Sequence, residues 1–268
     1  MQKVSIIIVN YNSGGFLLNC IRSILANVII DYEVIVVDNK SKDDSYRTCK
    51  LLFSSEKIIF IESGGNIGFS KANNIGANIA SGNILHFLNP DTELSKDINK
   101  DYENLFANNQ KVYVNMLRNP DGSIENKGHR IPTVKNYLSC FFKKRYWRWY
   151  IGATIMISKE NYLKINKWNE GFFMYYEDLD FFYKLSKQKI ETSVGNAIIF
   201  HAGGGCSSNV WSSQERLKIV NKSEKLFYKL NNIYWQYYPI KFLRFLYVIC
   251  CKNLSQRSRK WQNSANKL

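Results

Sequence analysis

The sequence lacks the features of CxxC zinc and redox sites, of membrane-spanning segments and of signal peptides. Its six cysteines are scattered, and none has the CxxC spacing of a zinc or redox site. No apolar run approaches the roughly 20 residues that cross a bilayer; the strongest candidate, residues 245–251, is far shorter and follows Arg244. The first residues lead directly into a strand-like segment that is too short and wrongly flanked for a signal peptide. We therefore expect a reducing, cytoplasmic protein with free thiols.

Acidic residues are scarce relative to basic ones. The chain has 37 Lys and Arg against 22 Asp and Glu, which gives a formal net charge of +15. A surplus of this size favours anionic partners, namely nucleic acid, nucleotide phosphates or the inner face of a membrane.

Strands and helices alternate over the first hundred residues. Continuous β-branched runs predict strands that are buried on both faces, and apolar positions at helical spacing predict the helices between them. This alternation indicates an α/β protein with a doubly wound, mostly parallel sheet flanked by helices. The predicted strands span 4–9, 33–37, 57–61 and 84–88, and the predicted helices span 16–25, 43–53 and 70–80.

The rest of the chain is less regular. Residues 111–150 carry a strong turn signal, Asn119-Pro120-Asp121-Gly122, but no clear strand or helix. Beyond them we predict strands at 152–158 and 197–200 and helices at 161–168 and 177–187. We predict one domain over 1–210, with a nucleotide-binding half (1–110) and an acceptor and catalytic half (111–210), followed by a basic, aromatic, helical extension over 211–268.

Polar clusters follow all four early strands. Ligands of doubly wound sheets bind at the carboxyl ends of the strands, so these clusters favour a site at that edge. Each cluster alone is better explained as a turn, and only the set of four favours a site. The clusters are Asn10, Asp38, Gly65-Asn66 and Asn89-Pro90-Asp91.

A second acidic cluster, Glu177-Asp178-Leu179-Asp180, follows the aromatic stretch 172–175. Acidic residues are favoured at helix starts by the helix dipole, so on the residues alone a helix cap is the preferred explanation of this cluster. A carboxylate at the end of a buried strand, such as Asp91, is costly unless it binds something. Together the two clusters suggest metal-assisted chemistry on a phosphate-bearing donor.

Several segments, taken in order, resemble one known family. The chain is similar to inverting family-2 glycosyltransferases of the GT-A fold, and among these to bacterial rhamnosyltransferase-like enzymes of surface polysaccharide assembly. The resemblance covers about the first 205 residues, and the ordered set of motifs is more specific than any motif alone. The segments span 8–12, 36–39, 66–74, 88–92 and 172–180, and the motif 201–205 follows them.

The resemblance implies a donor-binding side. Asp38 would contact the nucleotide base, and the remaining donor-binding positions would be Asn10, Tyr11, Asn66, Gly68 and Asn73. Asn89-Pro90-Asp91 stands where the family has a DxD motif, which holds a divalent metal on the donor diphosphate. Asp91 would therefore bind Mg²⁺ or Mn²⁺. Asn89 offers only a neutral oxygen, which suits a sugar or ribose contact at least as well as a metal.

The resemblance also implies a catalytic side. Asp178 would act as the base, with Glu177 and Asp180 raising its basicity or orienting it. His201 matches a histidine that completes the metal shell in related enzymes, although a structural hydrogen bond explains a single histidine equally well. Direct attack by the acceptor would need no covalent nucleophile, and no Ser-His-Asp or Cys-His signature is recognisable.

Substrate identity is expected from the overall resemblance alone. The first expectation is L-rhamnose from dTDP-rhamnose, and a UDP-hexose donor (galactose, glucose or N-acetylglucosamine) is the alternative. The acceptor would be a polyprenyl-diphosphate-linked glycan of lipopolysaccharide O-antigen or capsule synthesis. Residues 167–171 depart from the family's Gly-Gly-Phe-Asp-Glu stretch. The resemblance therefore does not define the acceptor-side loop or the identity of the acceptor.

Two segments combine aromatic and basic residues, 141–150 and 225–268. Such segments suit the anionic inner face of a membrane and predict a peripheral protein, although buried rings with solvated cations would explain them as well. A basic nucleic-acid-binding protein is an alternative function, but no nucleic-acid-recognition motif appears and we expect no nucleic-acid partner. A third alternative is an inactive transferase, because Asn89 departs from the acidic motif; retention of Asp91, Asp178 and His201 argues against it.

Overall fold

The computed structural model describes residues 2–125, 128–138, 147–203 and 212–243, with only the backbone for residues 137 and 138. Parts of three predicted features lie outside these residues: 141–146 of the first basic aromatic segment, 204–205 of the motif after the last strand, and 211 and 244–268 of the extension. The contacts divide the chain into two units. Unit 1 comprises Met1–Ile131 and Trp147–Ser223, and unit 2 comprises Pro132–Tyr146 and Glu224–Leu268.

Unit 1 is built on a nine-stranded mixed sheet and a separate two-stranded sheet. The strands are β1 Val4–Asn10, β2 Tyr32–Asp38, β3 Ile58–Glu62, β4 Ile84–Leu88, β5 Thr92–Glu93, β6 Val112–Arg118, β7 Ile124–Glu125, β8 His129–Arg130, β9 Arg148–Trp149, β10 Thr154–Ser158 and β11 Thr192–His201. The large sheet has the order β3-β2-β1-β4-β10-β6-β11-β5, in which β7 pairs with β6, and the small sheet joins β8 and β9.

Helices flank this sheet. They are α1 Phe16–Asn27, α2 Ser45–Leu52, α3 Phe69–Ile79, α4 Ile98–Ala107, α6 Lys159–Lys164 and α7 Glu177–Lys187. The short α5, Val134–Leu138, belongs to unit 2, and α8, Ser213–Leu230, begins in unit 1 and ends in unit 2. The α/β fold with a mixed, helix-flanked sheet confirms the predicted fold class.

The first half of the sheet follows directly from its sequence. β1 and β2 are buried along their whole length, as their β-branched runs predict. Both are parallel strands, and β4 pairs with β1 in the same direction. Gly76 of α3 lets this helix lie close to β1, because a Cβ at this position would stand 2.6 Å from Cγ2 of Ile7. The parallel half thus places four strand ends at one edge.

The second half departs from the predicted pattern. β10 runs antiparallel to both β4 and β6, so the sheet is mixed. The helix predicted over 161–168 ends at Lys164, because Asn166 and Lys167 both have positive φ angles, 57° and 55°. The strand predicted over 197–200 is the end of the much longer β11.

The carboxylate of Asp101 stabilises a bulge in β11. The pairing of β11 with β6 shifts register between Val194 and Ile198. Within that shift, the backbone N–H groups of Asn196 and Ala197 donate to Asp101 at 2.6 and 3.1 Å. Asp101 is fully buried. Beyond the bulge, His201 pairs with Thr92 of β5, which brings the end of β11 beside the loop that follows β4.

Unit 2 has a small aromatic core of its own. Its described parts are α5, the end of α8, the 3₁₀ turn Tyr234–Gln236 and the helical residues 237–243. Phe227, Tyr228 and Tyr237 are buried there, and the Tyr228 hydroxyl donates to the Pro132 carbonyl at 3.0 Å. Over the described ranges, no helix is long and apolar enough to cross a membrane.

Candidate active site

A cleft of about 830 Å³ opens in unit 1 at the carboxyl edge of the sheet. Its walls come from the loops after β1, β2, β3 and β4, the β6–β7 hairpin, the segment between β9 and β10, the start of α7, the end of β11 and the start of α8. The cleft therefore lies where parallel strands end, which is the place that the polar clusters predict.

The loop after β4 carries Asn89 and Asp91 into this cleft. The Asn89 N–H donates to the Ala153 carbonyl at 2.9 Å, and the Thr92 hydroxyl donates to the Asn89 carbonyl at 2.6 Å. The Ala202 N–H donates to the Asp91 carbonyl at 2.9 Å, which joins the loop to the end of β11. These hydrogen bonds fix the backbone of the loop and so place Asp91, which is 5% exposed, on the cleft wall.

His201 lies between two carboxylates. Its Nε2 is 3.6 Å from Asp91 Oδ1, and its Nδ1 is 3.4 Å from Glu125 Oε1. All three side chains line the cleft. Glu125 is absent from the sequence-based predictions; it sits on the two-residue strand β7, whose pairing with β6 no short sequence pattern reveals.

Asp91 and His201 are the side chains that would hold a divalent cation. Asp91 Oδ1 and His201 Nε2 lie 3.6 Å apart on the wall of the cleft, close enough for one ion to contact both groups. Over the part of the chain that the structure describes, no three His, Cys, Asp or Glu side chains form a complete metal site. Mg²⁺ usually keeps waters and substrate oxygens as ligands, so a site of two protein ligands is compatible with its chemistry.

The start of α7 places two further carboxylates in the cleft, Glu177 and Asp178. The helix begins at Glu177, as predicted. Burial raises the pKa of the Asp178 carboxyl, and burial together with the charge of Asp178 raises the pKa of Glu177. Backbone donors, including the Leu179 N–H at 2.7 Å, oppose the shift at Asp178. Asp178 is therefore the more readily ionised of the two, which suits a proton acceptor.

Asp180 faces away from this arrangement. It is 1% exposed and pairs with Lys184, one helical turn later, at 3.7 Å. It is not among the residues that line the cleft. The predicted role of Asp180 beside the base remains a prediction that its packing does not favour.

The predicted donor-binding residues divide into two groups. Tyr11, Asn66 and Gly68 line the cleft, as does Asn39, which the sequence-based predictions omit as a site residue. Asn39 Nδ2 donates to Asn66 Oδ1 at 3.0 Å, so the loops after β2 and β3 are joined at the cleft wall. Gly68 has a φ angle of 88°, and a Cβ there would stand 2.7 Å from the Phe173 carbonyl oxygen.

The other predicted donor-binding residues are buried in the protein interior and do not reach the surface of the cleft. Asn10, Asp38 and Asn73 are buried and do not line the cleft. Asn10 Nδ2 donates to Asp38 Oδ1 at 2.8 Å, and the Ser41 hydroxyl donates to the same oxygen at 2.6 Å. Asn73 Nδ2 donates to the Phe69 carbonyl at 3.1 Å. These contacts give the three residues a part in shaping the loops, and their contact with a donor stays a prediction.

The cleft is strongly acidic despite the basic chain. Its described lining includes five carboxyl groups, the imidazole of His201 and a single guanidinium, that of Arg216, which lies 5.4 Å from the centre of the Tyr175 ring. The carboxylates belong to Asp91, Asp121, Glu125, Glu177 and Asp178. Like charges repel an anionic ligand, so a diphosphate would enter such a cleft with a cation as its counter-charge.

Several polar atoms of the cleft are buried without a hydrogen-bond partner among the described residues. They are Asn89 Oδ1, Asn119 Oδ1, Tyr175 OH and Glu177 Oε2. Buried polar groups are almost always paired, and unpaired ones call for a ligand, a water or an ion. Asn119 and Asp121 belong to the turn signal noted in the sequence, and the structure places that turn at the cleft.

The strand order, the cleft at the carboxyl edge and the facing carboxylates define a class of protein, the α/β domains with a GT-A-like glycosyltransferase fold. Solved structures of residues 1–349 of S. aureus TarS share this fold. The complex with UDP-GlcNAc superposes with a TM-score of 0.62 at 18% sequence identity, covering 84% of this chain and 65% of that one. A second structure of the same TarS residues gives a TM-score of 0.60 at 16% identity, covering 84% of this chain and 64% of that one.

The chain belongs to glycosyl transferase family 2. The family model described as "Glycosyl transferase family 2" matches residues 5–176. Among curated relatives, the low-salt glycan biosynthesis hexosyltransferase Agl10 of Haloferax volcanii is 28% identical over 209 residues, which cover 71% of this chain and 64% of the relative. Chondroitin synthase of Pasteurella multocida is 27% identical over 139 residues, which cover 48% of this chain. The chain thus spans under two thirds of the first relative's length, and its match covers 14% of the second.

Proposed function

We propose that the protein is an inverting glycosyltransferase that moves one sugar from a nucleotide-sugar to a hydroxyl group. One observation carries the proposal: Asp91 and Asp178 line the same acidic cleft at the carboxyl edge of the sheet. Membership of family 2 supports it. A nucleic-acid-binding function gains no support from this cleft, since its described lining is rich in carboxylates.

In the proposed reaction the acceptor hydroxyl attacks the anomeric carbon of the donor. Asp178 accepts the hydroxyl proton as the new C–O bond forms, and the bond from the anomeric carbon to the diphosphate oxygen breaks. A positioned base of this kind contributes roughly 10²–10⁴-fold to the rate. Because the attack is direct, the anomeric configuration inverts. Glu177, with its raised pKa, keeps a proton more readily than Asp178 and so limits the charge beside the base.

Asp91 and His201 would hold Mg²⁺ or Mn²⁺ at the donor diphosphate. When bound, such an ion supplies positive charge that stabilises the departing diphosphate. The acidity of the described cleft lining supports this part of the proposal, because the carboxylates alone would repel the donor.

The donor is proposed as a UDP-sugar. One curated relative is named a hexosyltransferase, and one solved neighbour is a complex with UDP-GlcNAc. dTDP-rhamnose is the alternative donor that the sequence resemblance suggests. The acceptor is proposed as a lipid-linked glycan of surface polysaccharide synthesis at the cytoplasmic face of the membrane, on the basis of the basic, aromatic extension.

A panel of nucleotide-sugars tests the proposal. We expect Mn²⁺-dependent binding and slow hydrolysis of one donor, measured by calorimetry and by nucleotide release. Asp91→Asn should weaken Mn²⁺-dependent binding of that donor at least about tenfold, since one charged ligand is lost. Asp31→Asn, an exposed aspartate outside the cleft, is the matched control. Binding of polynucleotide without binding of any nucleotide-sugar would contradict the proposal.

A further inference from the structure

Unit 2 exposes an unusual row of apolar side chains. Tyr234, Trp235, Tyr238, Phe242 and Leu243 are 37%, 66%, 65%, 61% and 38% exposed and together form an aromatic face. Trp235, Tyr238 and Phe242 follow one another at spacings of three and four, which places them on one side of a helix. Monomeric proteins rarely leave such contiguous apolar surface in water without a partner.

The opposite side of the same segment is apolar too. Ile233, Tyr237 and Ile240 are buried in the core of unit 2. The segment is thus fixed to unit 2 by one side and presents the aromatic face on the other. A helix that is apolar on both sides is typical of one that is buried or that meets a membrane.

The basic residues near the aromatic face indicate which kind of partner it would bind. Lys229 lies 5.6 Å from the Tyr234 ring, and Lys241 lies 4.8 Å from the Tyr237 ring on the neighbouring side. The described residues 224–243 carry three lysines and one acid, Glu224, which lies 3.6 Å from Lys241, and the sequence after residue 243 adds six Lys or Arg and no Asp or Glu. Two copies of such a surface would repel each other, whereas an anionic lipid surface would attract it.

We propose that the aromatic face docks on an anionic bilayer surface, with Trp235, Tyr238 and Phe242 at the level of the lipid headgroups. Trp and Tyr favour this layer because each has an apolar ring and a polar atom. The proposal rests on the proposed function only in that a lipid-linked acceptor would lie at the same surface. It concerns residues outside the active-site cleft, so the two can be tested separately.

Vesicle flotation of the full chain tests the docking. The probes are vesicles of phosphatidylcholine with phosphatidylglycerol and vesicles of phosphatidylcholine alone. We expect binding to the anionic vesicles, at least about tenfold weaker for the triple variant Trp235→Ser/Tyr238→Ser/Phe242→Ser. Lys229→Gln should weaken binding about fivefold, the loss expected for one basic residue at the surface. Donor hydrolysis in solution should stay unchanged in these variants.

The control replaces equally exposed apolar residues elsewhere. Ile29 and Leu51 are 82% and 74% exposed in unit 1, and Ile29→Ser/Leu51→Ser should bind anionic vesicles like the unchanged protein. Equal binding by the triple variant would overturn the proposal, and so would a failure of the unchanged protein to bind anionic vesicles. A dimer of the unchanged protein that the triple variant abolishes, seen in analytical ultracentrifugation, would assign the face to a second copy instead.

A second inference comes from the separate contacts of Glu125. We infer that Glu125 is a positioning residue for His201. Its carboxylate faces His201 Nδ1 at 3.4 Å, while Nε2 faces Asp91 at 3.6 Å. A carboxylate that accepts the Nδ1 proton fixes the tautomer and leaves the Nε2 lone pair directed toward the Asp91 side, which is the usual support of a metal-binding histidine. This inference rests on the proposed function of the cleft.

Two readouts test the role of Glu125. Removal of such a support costs about 10–100-fold in metal affinity, so Glu125→Ala should weaken Mn²⁺ binding in electron paramagnetic resonance by that factor. Glu125→Gln keeps an acceptor oxygen and should recover much of the loss. The second readout is the ¹⁵N shift of His201 Nδ1 without metal, which should change in Glu125→Ala, where Nδ1 loses its carboxylate neighbour, and change less in Glu125→Gln. An unchanged Nδ1 shift in Glu125→Ala would overturn the inference whether or not Mn²⁺ binds.

Discussion

The carboxylates at the end of β2 and at the start of α7 differ in how their oxygens are satisfied. Asp38 accepts from Asn10, from the Ser41 hydroxyl and from the Ser41 N–H, so both of its oxygens are bonded. At the start of α7, Glu177 Oε2 has no partner among the described residues, and burial raises the pKa of both Glu177 and Asp178. A satisfied carboxylate shapes a loop, whereas an under-satisfied one is poised for a ligand or a proton.

The largest effect that this comparison predicts is at Asp178. Asp178→Asn removes the proposed base and should lower sugar transfer roughly 10²–10⁴-fold. Stability to urea should hold or rise, because the variant removes a charge that is costly beside Glu177. Transfer rates, measured by nucleotide release in the presence of acceptor, and urea midpoints together check the prediction. Normal transfer by this variant, alongside a normal Asp31→Asn control, would remove Asp178 from the mechanism.

Replacement of Asp38 should lower stability more than it lowers donor affinity, the reverse of what is expected for Asp178. In Asp38→Asn an amide nitrogen replaces one acceptor oxygen and faces the donors from Asn10 and Ser41. Leaving buried donors unpaired costs about 1–3 kcal/mol, so the variant should unfold at a lower urea concentration. Donor affinity should change less than stability.

The sequence resemblance gives Asp38 a different role, contact with the nucleotide base. If that role dominates, Asp38→Asn would lose donor affinity in calorimetry without losing stability. The two measurements on one variant therefore decide between a loop-shaping and a donor-binding carboxylate.

The parallel half of the fold was predictable because its interior is uniformly apolar. β1, β2 and β4 are buried along their whole length, and a run of β-branched or large apolar residues is enough to mark such strands. The helix that starts at Glu177 was predictable as well, since its acidic first turn follows an aromatic stretch. The polar clusters after these strands then had to meet at one edge, which is where the cleft lies.

The other half was obscured by buried polar residues. β6 carries Asn115 in its middle, fully buried and bonded to Asp101 at 2.7 Å. A polar residue in the interior breaks the hydrophobic pattern, so β6 and α4, which supplies Asp101, gave no clear signal. Glu125 and Arg216 reach the cleft only through tertiary structure. Such residues cannot be assigned from spacing, because their neighbours at the site are distant in the chain.

The raised pKa values at the start of α7 predict a pH dependence of stability. Both carboxyl groups bind a proton more tightly in the folded chain than in the unfolded chain, where such groups titrate near about 4. The folded state therefore holds more protons than the unfolded state above about pH 4, and stability falls as pH rises through the raised pKa values.

Urea midpoints across this pH range check the prediction. Glu177→Gln mimics the protonated side chain and should remove much of the decline, while Asp31→Asn should keep it. A decline of equal size in Glu177→Gln would mean that other groups cause it, and the contrast with Asp38 would lose its electrostatic basis.

The smallest predicted effect concerns Asn89, whose Oδ1 is buried and has no partner among the described residues. Asn89→Asp restores an acidic residue at the first position of the motif that contains Asp91. If Asn89 Oδ1 faces a bound cation, the added charge should raise Mn²⁺ affinity about tenfold, because ligand charge tunes cation binding. If it faces a sugar or ribose instead, Mn²⁺ affinity should stay the same and donor affinity should fall. Titration of Mn²⁺ with and without the donor separates the two outcomes, and it extends the contrast between satisfied and unsatisfied oxygens to a neutral side chain.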